Sequence, residues 1–172
     1  MSVRVRALQA RDRAFVEARW RSEWGGLTMV SGGREHHVHT LSGFRADDEE
    51  SGRALGLLTY RSDEENGAIE VVSLNSLYEG RGVGTALLRQ TQTLAAERRH
   101  RLFLFMTEDN LPALRFYLRR GFRLVAVHPD AVTCARAQKP SIPEIGIDGQ
   151  PLRDEWELQW ERESDVAEWA RP

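Results

Sequence analysis

Glu79-Gly80-Arg81-Gly82-Val83-Gly84-Thr85 decides the reading of this chain. It stands between an apolar run, Ala68 to Leu77, and a segment, Gly82 to Arg98, in which Val83, Ala86, Leu87, Thr91 and Leu94 recur on one helical face. Glycines at a strand-to-helix turn let backbone N–H groups approach a ligand with no Cβ in the way. The helix start adds orphan N–H donors and a partial positive charge, and together these suit a phosphate or pyrophosphate. The fork of Arg81 could reach the same anion. The alternative is a tight turn that only lets helix and strand pack closely. Two nucleotide motifs fail on the letters. A P-loop needs Gly-Lys-Ser/Thr, and Lys139 is the only lysine. A Rossmann fingerprint needs a small residue where Leu87 stands.

Working outward, Val3 to Arg6 alternates like a half-buried strand, and Ala10 to Trp24 reads as a helix stopped by Gly25-Gly26. Leu27 to Val30 is a short apolar run, and His37 to Ala46 a strand or irregular edge. Ala54 to Tyr60 and Ala68 to Leu77 read as antiparallel neighbours joined by an acidic turn. Arg101 to Met106 (RLFLFM) reads as a strand buried on both faces, as interior parallel strands are. With strand 68–77 and helix 82–98 it predicts a right-handed βαβ unit. Asn110 to Arg120 reads as a helix stopped by Gly121, then Leu124 to His128 as a strand. In the less regular C-terminal third, Trp156, Leu158 and Trp160 alternate with Glu155, Glu157 and Glu161, which favours a last strand. A helix remains open there, since Trp156 and Trp160 are four apart.

The chain has 172 residues and a net charge of −2. That length predicts a single domain, 1–172, with 130–172 an extension carrying the last strand. Such a chain buries roughly 70% of its unfolded surface without staples. The charge excludes a protein held on a polyanion by bulk attraction, so nucleic acid is not an expected partner. Cys134 is the only cysteine, so no intrachain disulfide can form. Its expected role is a small buried hydrophobe. No signal peptide or membrane span is read, and a cytoplasmic location is expected. The near-absence of lysine disfavours lysine-based covalent catalysis.

The Gly-rich turn resembles motif A of the GNAT acyltransferases (Gcn5-related N-acetyltransferases), Arg/Gln-x-x-Gly-x-Gly/Ala. Gly82 and Gly84 match, and Glu79 departs from the usual Arg or Gln. The stretch from Thr107 through Asn110, Ala113, Phe116-Tyr117 and Gly121-Phe122 resembles the family's motif B in order and spacing. The likeness is specific over about Ala54 to Phe122. It implies a GNAT fold of the α/β (α+β) class. That fold has a mixed, mostly antiparallel sheet of about seven strands, the family's fourth and fifth strands parallel and splayed, and about four helices. It implies transfer of acetyl from acetyl-CoA, a cosubstrate, to a primary amine by direct attack, with no metal. Carried over residue by residue, Gly80, Arg81, Gly82, Val83, Gly84 and Thr85 would hold the pyrophosphate and Asn110 the pantetheine arm. The backbone N–H of Leu74 would bind the thioester carbonyl, and Tyr117 would protonate the leaving thiolate. Taken alone, Asn110 reads as a helix cap and Tyr117 as core.

Glu70 stands four residues before Leu74 and, by the two-residue period, on its side of the strand; it is the candidate base, against a water chain or a plain surface Glu. Phe105 stands where some protein-N-terminus acetyltransferases carry Glu. The acceptor side of this fold nominates Trp20, Trp24, His36, His37, His39, His128, Asp130 and the Lys139–Pro151 loop. His36, His37 and His39 have spacing that can ligate zinc, but a solvated loop is the favoured reading. The acidic runs Asp47–Glu50 and Asp63–Glu65 read as solvated turns. A small-molecule amine is the expected partner, for a monomer or homodimer. The alternatives are a catalytically silent acyl-CoA sensor or interaction domain, which would not need Tyr117 or Glu70, and a protein or peptide acetyltransferase. The C-terminal segment is expected to close over the acceptor cleft and pair the last strand.

Overall fold

The densest apolar run, Ala54 to Tyr60, lies inside β5 (Ala54–Asp63) of the computed structural model, which describes residues 2–162. The last ten residues of the expected C-terminal extension lie outside that range. The other strands are β1 (Val3–Ala7), β2 (Thr28–Ser31), β3 (Arg34–His37), β4 (Ser42–Asp48), β6 (Ala68–Ser76), β7 (Arg101–Thr107), β8 (Phe122–His128) and β9 (Glu155–Trp160). The helices are α1 (Arg13–Trp24), α2 (Val83–Arg98), α3 (Leu111–Leu118) and α4 (Ala131–Gln138). This is a mixed α/β chain with seven main-sheet strands and four α-helices, the class expected from the sequence. β2 and β3 pair separately.

Contacts divide the chain into two units. The first holds His36–His100 with the chain up to Met29, and the second holds Val30–Glu35 with the chain from Arg101. In the first, the strands run in the order β1-β4-β5-β6, each pair antiparallel. β5 is apolar on both faces because both are covered. On one side Leu57 and Val72 pack with Val16 and Trp20 of α1 and with Val38. On the other, α2 comes so close that a Cβ on Gly56 would meet Val83 Cγ1 at 2.7 Å and Leu87 Cδ1 at 3.0 Å. Only glycine lets the start of α2 seat there.

A buried ion network fixes the start of α1. Asp12, 2% exposed, accepts from Arg6 Nη1 at 2.7 Å, Arg6 Nη2 at 2.8 Å, Arg45 Nη1 at 3.1 Å and the Gln9 N–H at 2.8 Å. The Arg6 side chain holds its carboxyl well below the usual carboxylate range. The acidic turn after β4 is not wholly solvated as expected: Asp48 is buried and accepts from the N–H groups of Glu50 and Ser51, both at 3.0 Å.

In the second unit β9, last in sequence, lies between β7 and β8 and is antiparallel to both. The strand reading of its Trp-x-Leu-x-Trp alternation holds. Trp156 and Leu158 pair with Met106 and Leu104, and Trp160 with Phe122, on one face. Glu155, Glu157 and Gln159 take the other face. Helix α4 has no counterpart in the sequence reading. It is short, buries only Val132 and Ala135, and leaves Cys134 exposed, contrary to the expected burial of that thiol. No helix among the described residues is long and apolar enough to cross a membrane.

Candidate active site

The Gly-rich turn leads into α2 through two left-handed glycines, Gly80 at φ +69° and Gly82 at φ +77°, with Arg81 between them at negative φ. Alternating φ along a turn points successive N–H groups to one concave side. Gly82 is the N-cap of α2 and has no side chain with which to cap it. A Cβ on Gly80 or Gly82 would meet nothing within 4 Å, so the glycines serve backbone conformation and open approach rather than close packing. This argues against the tight-packing alternative at these two positions, while Gly56 meets that need on β5. Val83 is 1% exposed, so only its backbone could meet a ligand. Arg81 is exposed.

On β6 the expected side for Glu70 is corrected. Thr59 pairs with Ser73, but Tyr60 pairs with Val71 and Arg61 with Glu70, so one extra β6 residue, Val72, is inserted. A bulge reverses the alternation beyond it. Leu74 pairs with Leu58, and Glu70 with Arg61, which lies on the opposite face of β5 from Leu58. Glu70 and Leu74 therefore face opposite sides. Glu70 is also not a surface residue. It is 3% exposed, with Arg61 Nε 3.2 Å from Oε2 and His36 Nε2 3.3 Å from Oε1. The His36 contact is off hydrogen-bond geometry, and His36 Nε2 is buried without a hydrogen-bond partner.

The histidines diverge. His36 turns inward to Glu70, while His37 and His39 stack with ring centroids 5.0 Å apart and His39 Nε2 lies 3.2 Å from Glu17 Oε1. Among the described residues no group of three His, Cys, Asp or Glu is placed to hold a metal. Trp20 is fully buried in the α1 core and cannot line a cleft; Trp24 is 36% exposed. Sequence reasoning missed Asn75, one residue beyond Leu74, whose Oδ1 is buried with no hydrogen-bond partner. An unpaired acceptor on that strand suits an incoming N–H.

The second unit carries the motif-B residues. Asn110 is the N-cap of α3, its Oδ1 accepting the Ala113 N–H at 3.1 Å, as the cap reading has it. Its amide N–H₂ makes no hydrogen bond among the described residues. Tyr117 packs edge-on to Phe116 and Phe122, at centroid distances of 5.2 and 5.5 Å, and burial pushes its phenol above its ordinary pKa. Asp109, 8% exposed, accepts the Ile147 N–H at 2.8 Å and the Thr107 hydroxyl at 2.5 Å. That pins the loop after Lys139, which a Gly146 N–H to Gln150 carbonyl bond of 2.8 Å closes on itself. Asp130 caps α4 in a left-handed conformation, its N–H donating to Asp154.

Residues 8–122 match the family model described as "Acetyltransferase (GNAT) family". The chain is 40% identical over 133 residues to YdhI, an uncharacterized protein of Bacillus subtilis, covering 77% of this chain and 81% of that one. Among solved structures it is similar to an IAA acetyltransferase from Bacillus cereus, with TM-score 0.67 and 18% identity over 94% of this chain and all of the other. It is similar also to a GNAT acetyltransferase from Elizabethkingia anophelis with acetyl-CoA bound, with TM-score 0.64 and 14% identity over 93% and 98%. At those identities the structures speak for the fold. With a family model over residues 8–122 and a relative 40% identical over 77% of the chain, the chain belongs to the GNAT acetyltransferase family.

Proposed function

We propose that this chain transfers acetyl from acetyl-CoA directly to a primary amine of a small molecule. The observation that carries the reading is the left-handed Gly80 and Gly82 pair opening onto an uncapped helix start, a backbone cradle for pyrophosphate. Arg81 adds charge there, and Val83, Gly84 and Thr85 contribute backbone N–H groups. The Leu74 N–H is the candidate donor to the thioester oxygen, which would stabilise the oxyanion as the amine attacks. The Asn75 side-chain Oδ1 and the Asn110 side-chain amide are candidates to hold the amides of the pantetheine arm. A phenol raised by burial stays protonated at neutral pH, so Tyr117 can give its proton to the departing thiolate. Glu70 is the carboxylate candidate of the reaction. Arg61 Nε and His36 Nε2 lie beside its two oxygens and hold the carboxylate in place.

Acetyl-CoA titrated against melting temperature tests the cradle. At about 100 times its dissociation constant a ligand adds roughly 2.7 kcal/mol of stability. No shift at millimolar acetyl-CoA would end the reading. Thiol release over a panel of amines, polyamines, aminoglycosides and amino acids then tests transfer. Binding without release with any acceptor would favour the acyl-CoA sensor.

A further inference from the structure

The geometry points to His128 as the group that takes the amine's proton, with Glu157 and Arg101 as its positioning residues. This rests on the acetyl-transfer reading above and adds a catalytic residue to it. The three side chains come from three strands of the second unit and share the face of β9 opposite its tryptophans. Glu157 pairs in register with Phe105 of β7 and Ala126 of β8, and His128 pairs with Glu155. His128 Nε2 lies 2.9 Å from Glu157 Oε2, and Arg101 Nη1 lies 3.2 Å from Oε1. Arg101 is itself seated over the Phe103 ring, 4.0 Å from its centroid. The Phe105 ring meets the imidazole edge-on at 5.5 Å.

A carboxylate can only accept, so in the neutral ring the proton sits on Nε2 and the lone pair on Nδ1. Nδ1 has no hydrogen-bond partner among the described residues, and the side chain is 43% exposed. Glu157 is only 14% exposed. An accessible base with a fixed tautomer, oriented by a sheltered carboxylate whose other oxygen is held, is the arrangement general-base catalysis requires. The other groups facing it are Glu155 across β9, the uncharged Phe105 on β7, and the Gly32 backbone, whose N–H donates to Glu155 at 3.0 Å. Asp130 and Asp154 lie along the same strand ends.

The balance is simple. Nδ1 takes one proton from the ammonium ion and so frees the nitrogen lone pair, which forms the C–N bond as the thioester C–S bond breaks. The sulfur takes a proton from Tyr117, the second proton leaving nitrogen returns to the phenolate, and the imidazolium gives its proton to solvent. An acceptor that reaches the enzyme mostly as an ammonium ion needs this base most.

The test uses the full chain with acetyl-CoA, the panel amine giving the fastest thiol release, and hydroxylamine, which is largely unprotonated at neutral pH. His128→Ala is expected to lower kcat for the amine by about 10²-fold. The KM for acetyl-CoA stays where it was, the loss with hydroxylamine is much smaller, and free imidazole restores part of the rate. Glu157→Gln gives a smaller loss of the same kind and scrambles the ring tautomer in ¹⁵N NMR, where the wild-type ring shows Nε2–H. Equal loss with both nucleophiles, no loss, or a wild-type Nδ1–H tautomer would overturn the assignment alone. No thiol release from the wild type with any acceptor overturns the transfer reading, and this assignment with it.

Discussion

Replacing Asp12 with alanine tests what ties the start of α1 to β1 and β4 in the first unit. The carboxylate is 2% exposed and accepts from Arg6, Arg45 and the Gln9 N–H. Breaking a fully buried ion pair costs about 3–5 kcal/mol. Here the cost is smaller, because the arginine side chains are 20% and 18% exposed and both keep Asp47, with Nε–O distances of 3.0 and 2.5 Å. The expected loss is about 2–3 kcal/mol, or about 4–12 °C of melting temperature for a chain of this size. The pH dependence has a definite sign. The folded carboxyl is held below the unfolded one, so its contribution is complete above the unfolded value of about 3.9 and fades as pH falls below it. Urea unfolding of wild type and Asp12→Ala at pH 7 and near pH 3 reads both effects. A difference under about 0.5 kcal/mol at pH 7 would put this network among surface pairs of no consequence. A gap that failed to narrow in acid would refute the linkage.

Three further outcomes follow from other parts of the fold. Gly82→Val places a β-branched residue at φ +77°, which should cost about 1–2 kcal/mol and reduce the acetyl-CoA-induced melting shift, both read by thermal titration. Tyr117→Phe should cut turnover by about 10²-fold with acetyl-CoA affinity held, and unchanged thiol release would remove its role as acid. Asp109→Ala deprives the Ile147 N–H and Thr107 hydroxyl of their acceptor, so limited proteolysis should cut faster within residues 144–152, and an unchanged cleavage rate would show that the loop does not depend on this anchor.

The parts of the fold legible in the sequence are those set by neighbours along the chain. The glycine turn, the stripe of α2, the Asn110 cap and the apolar half of β9 are all written in short windows. The β6 bulge is not, because no glycine or proline marks Val72 and the extra residue exists only relative to β5. That one insertion moved Glu70 to the opposite face from Leu74, where partners distant in sequence, Arg61 and His36, surround it. β9 misleads in a more instructive way. Alternation assigns Trp156, Leu158 and Trp160 to an apolar face and leaves Glu155 and Glu157 to water. Glu155 is nonetheless 5% exposed, its carboxylate taking the Gly32 N–H, while Gly32 lies so close to Phe105 that a Cβ would meet its ring at 2.2 Å. A strand sheltered on both faces must satisfy any carboxylate it buries. The residues that do so here, the Gly32 backbone for Glu155 and His128 with Arg101 for Glu157, assemble a polar cluster on the face that the period-two rule assigns to solvent. Period-two reading finds the apolar face of such a strand and passes over the face on which its chemistry can stand.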